Sequence, residues 1–186
     1  MITTETKTAL KQLTRETSPY WEAFEQFEKT AKEPEWVRAA RKAGISHFVE
    51  LGLPTLQDED WRFTNVAPIA KLPFKPVLES TGEGVTAKSL SHFTFAELAG
   101  SRLVFVDGHF TPELSSTVNL PEGVKVKSLA EAIAKDPAQV EPHLFHHARS
   151  DTSAFTALNT AFFKDGAFIY VPAGQTVSEP IQLLYV

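Results

Sequence analysis

The sequence predicts an α+β chain with a helical front, a mixed middle and a β-rich end, and three observations carry that reading. Apolar residues recur at helical spacing between Pro19 and Leu51. Between about residues 100 and 150 short β-branched runs alternate with turn residues and capping serines. After Gly166 the chain becomes a series of short apolar strands broken at Pro and Gly corners. Helices are therefore expected within about residues 5–51, mixed short elements to about 150, and β-structure beyond Gly166, with ends uncertain by about two to four residues.

In the helical front, Ser18-Pro19 reads as a helix start, because Ser caps an orphan N–H and Pro at the first position loses nothing by lacking its own. Tyr20, Trp21, Phe24, Phe27 and Ala31 then form an aromatic stripe with Glu22, Glu25, Gln26 and Glu28 between. A core-facing side is the plain reading, and a docking surface is the alternative. A second helix opens at Glu33-Pro34, lines one face with Trp36, Val37, Ala40, Gly44, Phe48 and Leu51, and stops at Gly52 and Pro54. Gly44 lowers helix propensity by about 1 kcal/mol relative to Ala, so it marks a close helix contact or a kink. Arg41-Lys42 sits among acids and reads as a solvated face.

From Leu53 to Glu83 the periodicity loosens, with Pro54, Pro68, Pro73 and Pro76 as breakers and a turn near Gly82–Gly84. Asp60–Val66 is expected as a short helical turn or extended strip pinned by Trp61 and Phe63. Arg102–Val106 is a strand, Asp107-Gly108 a hairpin turn, and His109-Phe110 begins the return. Val124–Lys127 is a strand, Ser128 caps a helix that ends near Asp136-Pro137, and a further helix is expected over Ala138–Arg149. Phe155, Leu158 and Phe162 suit a helix ending at Gly166, with a strand component as the alternative. Ala167–Val171, Gln175–Val177 and Ile181–Val186 follow as strands around Pro172-Ala173-Gly174 and Ser178-Glu179-Pro180 corners. The chain stops inside an apolar strand, so it is read as a fragment whose open edge invites pairing with another chain.

Composition excludes several functions. The chain contains no cysteine, which removes disulfides, thiolate nucleophiles and thiolate metal ligands together. A net charge of −5 without a basic stripe argues against a nucleic-acid surface. No run approaches the roughly eighteen apolar residues of a membrane span, and no signal peptide is apparent, so a cytoplasmic location is expected. No phosphate loop or dinucleotide fingerprint is present, so ATP would be handled by a partner.

Two side-chain clusters invite a chemical reading. His143, His146 and His147 would share one face of a helix, a workable geometry for imidazole ligands, but only Glu141 lies near and a metal site needs more. A solvated histidine group is the better reading. Asp58-Glu59-Asp60 cannot converge as a catalytic pair, because adjacent residues point apart, and reads as charge at a helix N-terminus. Catalytic, cofactor-binding and metal-binding residues are accordingly all expected to be none.

Three segments resemble one family. Gly52, Leu53, Pro54, Thr55, Glu59, Asp60, Trp61, Arg62, Phe63, Thr64 and Asn65 match the Gly-Leu-Pro-Thr turn, acidic run and aromatic Thr-Asn of SufD-type proteins, scaffold subunits of bacterial iron–sulfur cluster assembly. Leu103–Ser115 is similar to the family's hydrophobic strand and Asp-Gly turn, and Phe155–Val186 to its entry into a central β-helix.

The resemblance implies a helical domain over 1–52, a mixed α/β linking region over 53–150, and the start of a right-handed parallel β-helix over 151–186. It implies a non-catalytic scaffold of the Suf complex that works with a SufB-type paralogue and a SufC-type ABC ATPase, mainly through parts beyond residue 186. The iron–sulfur cluster would be assembled by the whole complex and ATP used by the partner ATPase, with no cofactor held by this segment. Self-association through the C-terminal edge strand would not be biological. The competing readings are a cupin-like barrel metalloenzyme, prompted by YVPAGQTVSEP but lacking any His after His147, and a stand-alone protein-interaction domain.

Overall fold

A computed structural model of the chain describes residues 19–72, 74–79, 84–93 and 100–186. The helix expected before residue 19, the Ser18 cap and the Gly82 end of the expected turn lie outside the described residues. In chain order the elements are helices α1 (Pro19–Thr30), α2 (Glu35–Leu51), α3 (Ala67–Lys71) and α4 (Ala87–Leu90), then strands β1 (Arg102–Val106), β2 (His109–Phe110) and β3 (Lys125–Ser128). Helices α5 (Leu129–Lys135), α6 (Pro137–Val140) and α7 (Ala154–Phe162) follow, and strands β4 (Ala167–Tyr170) and β5 (Gln182–Tyr185) end the chain. The chain is α+β, and it forms two compact units, one from Met1–Pro76 with Glu141–Phe163 and one from Val77–Val140 with Lys164–Val186.

In the first unit, the aromatic stripe of α1 faces the core. Phe24 and Phe27 are buried, and both rings pack on Phe162 of α7, at 6.1 and 6.0 Å between centroids. Tyr20 meets Phe48 of α2 edge to face at 5.2 Å. Helix α2 ends as expected: Gly52 takes φ 63° and donates its N–H to the Phe48 carbonyl, a conformation that a Cβ would disfavour.

Gly44 marks a close contact rather than a kink. A Cβ built there would lie 2.9 Å from both the Ala157 carbonyl oxygen and the Ala161 nitrogen of α7. The backbones of α2 and α7 therefore meet at a point where only hydrogen fits.

Two expectations for this unit are corrected. Arg41 is not solvated: its side chain is 0% exposed, its Nη2 donates to Glu33 Oε1 at 2.9 Å and to the Phe163 carbonyl, and its guanidinium lies 4.7 Å from the Phe27 ring centre. Its place on α2, one turn before Ile45 and three residues before Gly44, turns it inward, and a guanidinium can be buried there because a carboxylate, a carbonyl and a ring meet it. Phe63 is not pinned either: it is 87% exposed, with the Arg62 guanidinium 4.6 Å from its centre. Trp61, at the end of a 3₁₀ turn over Glu59–Trp61, and the buried Val66 anchor the segment instead.

The second unit is built on β1, whose residues Leu103–Val106 are buried. Leu103 and Phe105 pack with Val124 and Val126 on one face, while Val104 and Val106 pack with Leu90 on the other. Burial on both faces explains why the strand reads as a continuous apolar run rather than an alternation. Asp107 (φ 50°) and Gly108 (φ 80°) both take positive φ and turn β1 into β2, with Phe105 opposite Phe110. β5 joins the other edge of β1 in parallel, Arg102 opposite Gln182 and Phe105 opposite Tyr185. β3 and β4 form a separate antiparallel pair.

The Ser128 cap is present, its hydroxyl accepting from the Glu131 N–H at 3.2 Å. A second acceptor reinforces it from far along the chain. Asp165 accepts from the Ser128 hydroxyl at 2.8 Å, the Ala130 N–H at 2.9 Å and the Gly166 N–H at 2.7 Å. This carboxylate ties the start of α5 to the start of β4. Asp165→Ala should lower stability by about 1–3 kcal/mol, because it strips an acceptor from the buried Ser128 and from the half-buried Gly166 N–H. A urea midpoint unchanged from the parent would show that water replaces the carboxylate.

Two further elements differ from expectation. The helix expected over Ala138–Arg149 stops at Val140, because Pro142 disfavours helical backbone at Glu141, and turns follow. Gln175–Val177 forms no strand: the Gln175 N–H closes a turn on the Pro172 carbonyl at 3.1 Å, and Val177 packs against the Leu103–Phe105 cluster instead.

Candidate functional site

The histidine cluster does not form a helical face. His143, His146 and His147 are exposed in a run of turns, and Phe145 among them takes φ 67°, which breaks any i, i+3, i+4 geometry. Phe145 is held between Trp36 at 6.2 Å and Phe163 at 5.6 Å, so the aromatic ring, not the imidazoles, faces the packed side. Among the described residues no group of three or more His, Cys, Asp or Glu is gathered for a metal ion. His47 is held differently: its Nδ1 lies 3.0 Å from Ser150 Oγ, across a separation of 103 residues that no local pattern reveals.

Asp58-Glu59-Asp60 opens the 3₁₀ turn, with Asp58 at its N-cap position. Asp58 folds back, its Oδ2 accepting from the Thr55 N–H at 2.7 Å and from the Thr55 hydroxyl at 3.0 Å. This local closure accounts for the Pro-Thr-x-x-Asp spacing of the segment. Glu59 and Asp60 stay exposed.

These residues border a cleft of about 380 Å³ within the helical unit. Its walls are Leu51, Gly52 and Pro54 at the end of α2, the acids with Trp61, and Thr152 to Phe155 at the start of α7. Trp61 and Phe155 lie 5.2 Å apart with ring planes at 41°. The Asp-Glu-Asp-Trp string was visible in the sequence, but its aromatic partner arrives from 94 residues later (155 − 61) and was not.

In the second unit, β4 and β5 each pair with one strand among the described residues. Ile169 and Tyr170 on the first, with Val171 just after it, and Leu183 and Tyr185 on the second, with Val186 just after it, are exposed. Tyr185 stacks on Phe105 at 4.8 Å yet remains 62% exposed, and burial and the nearby Asp165 carboxylate push its phenol above the ordinary range. Among the described residues no helix is long and apolar enough to cross a membrane.

The comparisons with known proteins follow the same segments. The family described as SufBD protein N-terminal region matches residues 14–183. An iron–sulfur cluster assembly SufBD family protein of Synechocystis is 32% identical over 145 residues, 78% of this chain and 31% of that protein. A SufBD family protein of Arabidopsis thaliana is 27% identical, covering 86% of this chain and 37% of the relative. The iron–sulfur cluster assembly protein SufD of Bacillus subtilis is 26% identical, covering 89% and 38%. The chain thus spans about a third of the length of the curated relatives it matches. With the family match running through the helical front, the β1–β2 hairpin and β4 and reaching into β5, this chain belongs to the SufBD family, as a match to its N-terminal region.

Proposed function

We propose that this chain is a non-catalytic, SufD-like scaffold segment in iron–sulfur cluster assembly. The observation that carries the reading is the family match over residues 14–183, joined to relatives named for that assembly. It takes the place of the cupin-like alternative.

Parallel pairing of β5 with β1, and the exposed apolar side chains of β4 and β5, support these strands as the opening coil of a right-handed parallel β-helix. In this proposal the next coil covers β5, a SufB-type paralogue pairs with the completed β-helix, and a SufC-type ATPase docks on parts beyond residue 186. Cluster chemistry and ATP hydrolysis belong to the complex. The absence of cysteine supports a segment that holds no cluster through sulfur, and a cytoplasmic setting is part of the proposal. Uncovered, β5 would pair with a second copy in a contact unrelated to the complex.

A pull-down and ATPase assay with SufB-type and SufC-type proteins tests this, using residues 1–186 alone beside the same segment within a full-length SufD-type protein. The long form should bind the ATPase and raise its turnover, and the short form should do neither. If the long form fails in both assays, the scaffold reading is wrong. Tight binding by residues 1–186 would move ATPase docking to this segment and defeat the proposed division of labour.

A further inference from the structure

We infer that the cleft beside Trp61 receives a basic side chain, arginine by preference, from a partner protein. The inference goes beyond the scaffold reading and does not depend on it. It starts from the lining. Every charged residue that borders the cleft is acidic, Asp58, Glu59 and Asp60, and no Lys, Arg or His is among the lining residues. The remaining walls include two aromatic rings and the apolar Leu51, Pro54 and Ala154. A cleft of about 380 Å³ sits at the small end of the range of ligand pockets, enough for one side chain and not for a large ligand.

The chemistry narrows the occupant. Guanidinium is planar, stays charged, is weakly hydrated, stacks on aromatic faces, and forms paired hydrogen bonds with carboxylates. Trp61 and Phe155, packed on one another at 5.2 Å, supply an aromatic wall, while Glu59 and Asp60 border the cleft with exposed side chains. Asp58 is already bound to Thr55, so it adds field rather than a new contact. The base next in sequence, Arg62, lies over Phe63 and leaves the cleft to an outside cation.

The helix ends at the cleft do not reverse this. The carbonyl end of α2 and the amide end of α7 each contribute about half an elementary charge, of opposite sign, and largely cancel. The hydroxyl of Ser153 accepts from the Thr156 N–H and serves its own helix. An anion would enter against three carboxylates, which excludes a phosphate or acidic peptide as the natural occupant.

The test uses the chain with ¹⁵N-labelled indoles, the Trp61 resonance being assigned with Trp61→Phe. N-acetyl-arginine amide, its lysine and citrulline counterparts, and inorganic phosphate are titrated separately at low salt. Arginine amide should shift the Trp61 indole saturably with a Kd of about millimolar order, as a single exposed cation–aromatic and ion-pair contact allows. Citrulline amide, neutral but of the same shape, should bind at least about five-fold more weakly. Glu59→Gln with Asp60→Asn should weaken arginine binding by a similar factor while the circular dichroism spectrum stays unchanged, because both side chains are exposed. Phe155→Leu should weaken it too. Equal responses to arginine and citrulline, no saturation, indifference to the double substitution, or a phosphate shift would each overturn the inference. A Trp61 shift that appears on raising protein concentration without any amide would show a second copy's side chain in the cleft, and would overturn the assignment to a partner protein.

Discussion

Arg41→Ala should unfold the helical unit at markedly lower urea, by about 3 kcal/mol, the low end of what removing one partner of a buried pair costs. The low end applies because Glu33, left behind, keeps 24% of its side chain exposed and regains part of its hydration. Loss of contact with Phe27 and Phe163 adds to the effect, since the guanidinium fills space between them. Arg41→Lys should recover only part, because an ammonium has no planar fork to reach Glu33 and the Phe163 carbonyl while facing a ring. All three tryptophans, Trp21, Trp36 and Trp61, belong to this unit, so tryptophan emission follows its unfolding. A shift below about 1 kcal/mol would mean that the buried cation contributes no more than a surface pair.

The same clasp sets an acid response. Burial pushes the Glu33 carboxyl up, but the hydrogen bond and charge of Arg41, together with backbone hydrogen bonds at Glu33 and Lys32, hold the group below the ordinary carboxylate range. A carboxyl depressed in the folded chain stabilises above its unfolded value and loses that contribution as pH falls through the folded one. The parent should therefore lose stability on acidification more steeply than Arg41→Ala does. Equal slopes would detach Glu33 from the effect.

Gly44→Val is expected to match or exceed that loss. The first added carbon already meets two backbone atoms of α7 at 2.9 Å, and backbone cannot rotate away as a side chain can. Gly44→Ala isolates the competing terms. Helix propensity favours Ala by about 1 kcal/mol, whereas overpacking costs about 1–3 kcal/mol, so a net loss of about 1–2 kcal/mol is expected. Valine adds two methyls to the same place and should cost about 3 kcal/mol or more, since α2 and α7 must separate. A stabilised Gly44→Ala variant would show that the helices shift apart freely and that the glycine is dispensable.

Element type was legible wherever a local signal was strong. The α1 stripe, the Gly52 stop, the Asp107-Gly108 turn and the Ser128 cap each depend on residues within a few positions, and each stands where the pattern put it. The failures are of another kind. Glu141-Pro142 ended a helix that composition favoured, and Gln175–Val177 had strand-forming residues but no strand to pair with among the described residues. For the site, the acidic turn and Trp61 were readable as a motif, whereas Phe155, which makes them one wall of a cleft, was not.

By itself the sequence determined the α+β class, the approximate placement of most strands and helices, the lack of thiolate chemistry and the resemblance to the SufBD family, because periodicity, turn chemistry and composition are properties of neighbouring residues. Tertiary structure decided the rest. It put Arg41 inside rather than in water, since Glu33, Phe27 and the Phe163 carbonyl come together only after α1, α2 and α7 pack. It brought Asp165 to the start of α5 and Phe155 to Trp61, and it joined β5 in parallel to a strand 80 residues earlier (182 − 102). Charge and hydrophobicity report what a residue prefers. Whether it is buried, paired or left open depends on partners distant in the chain, and those are set by packing.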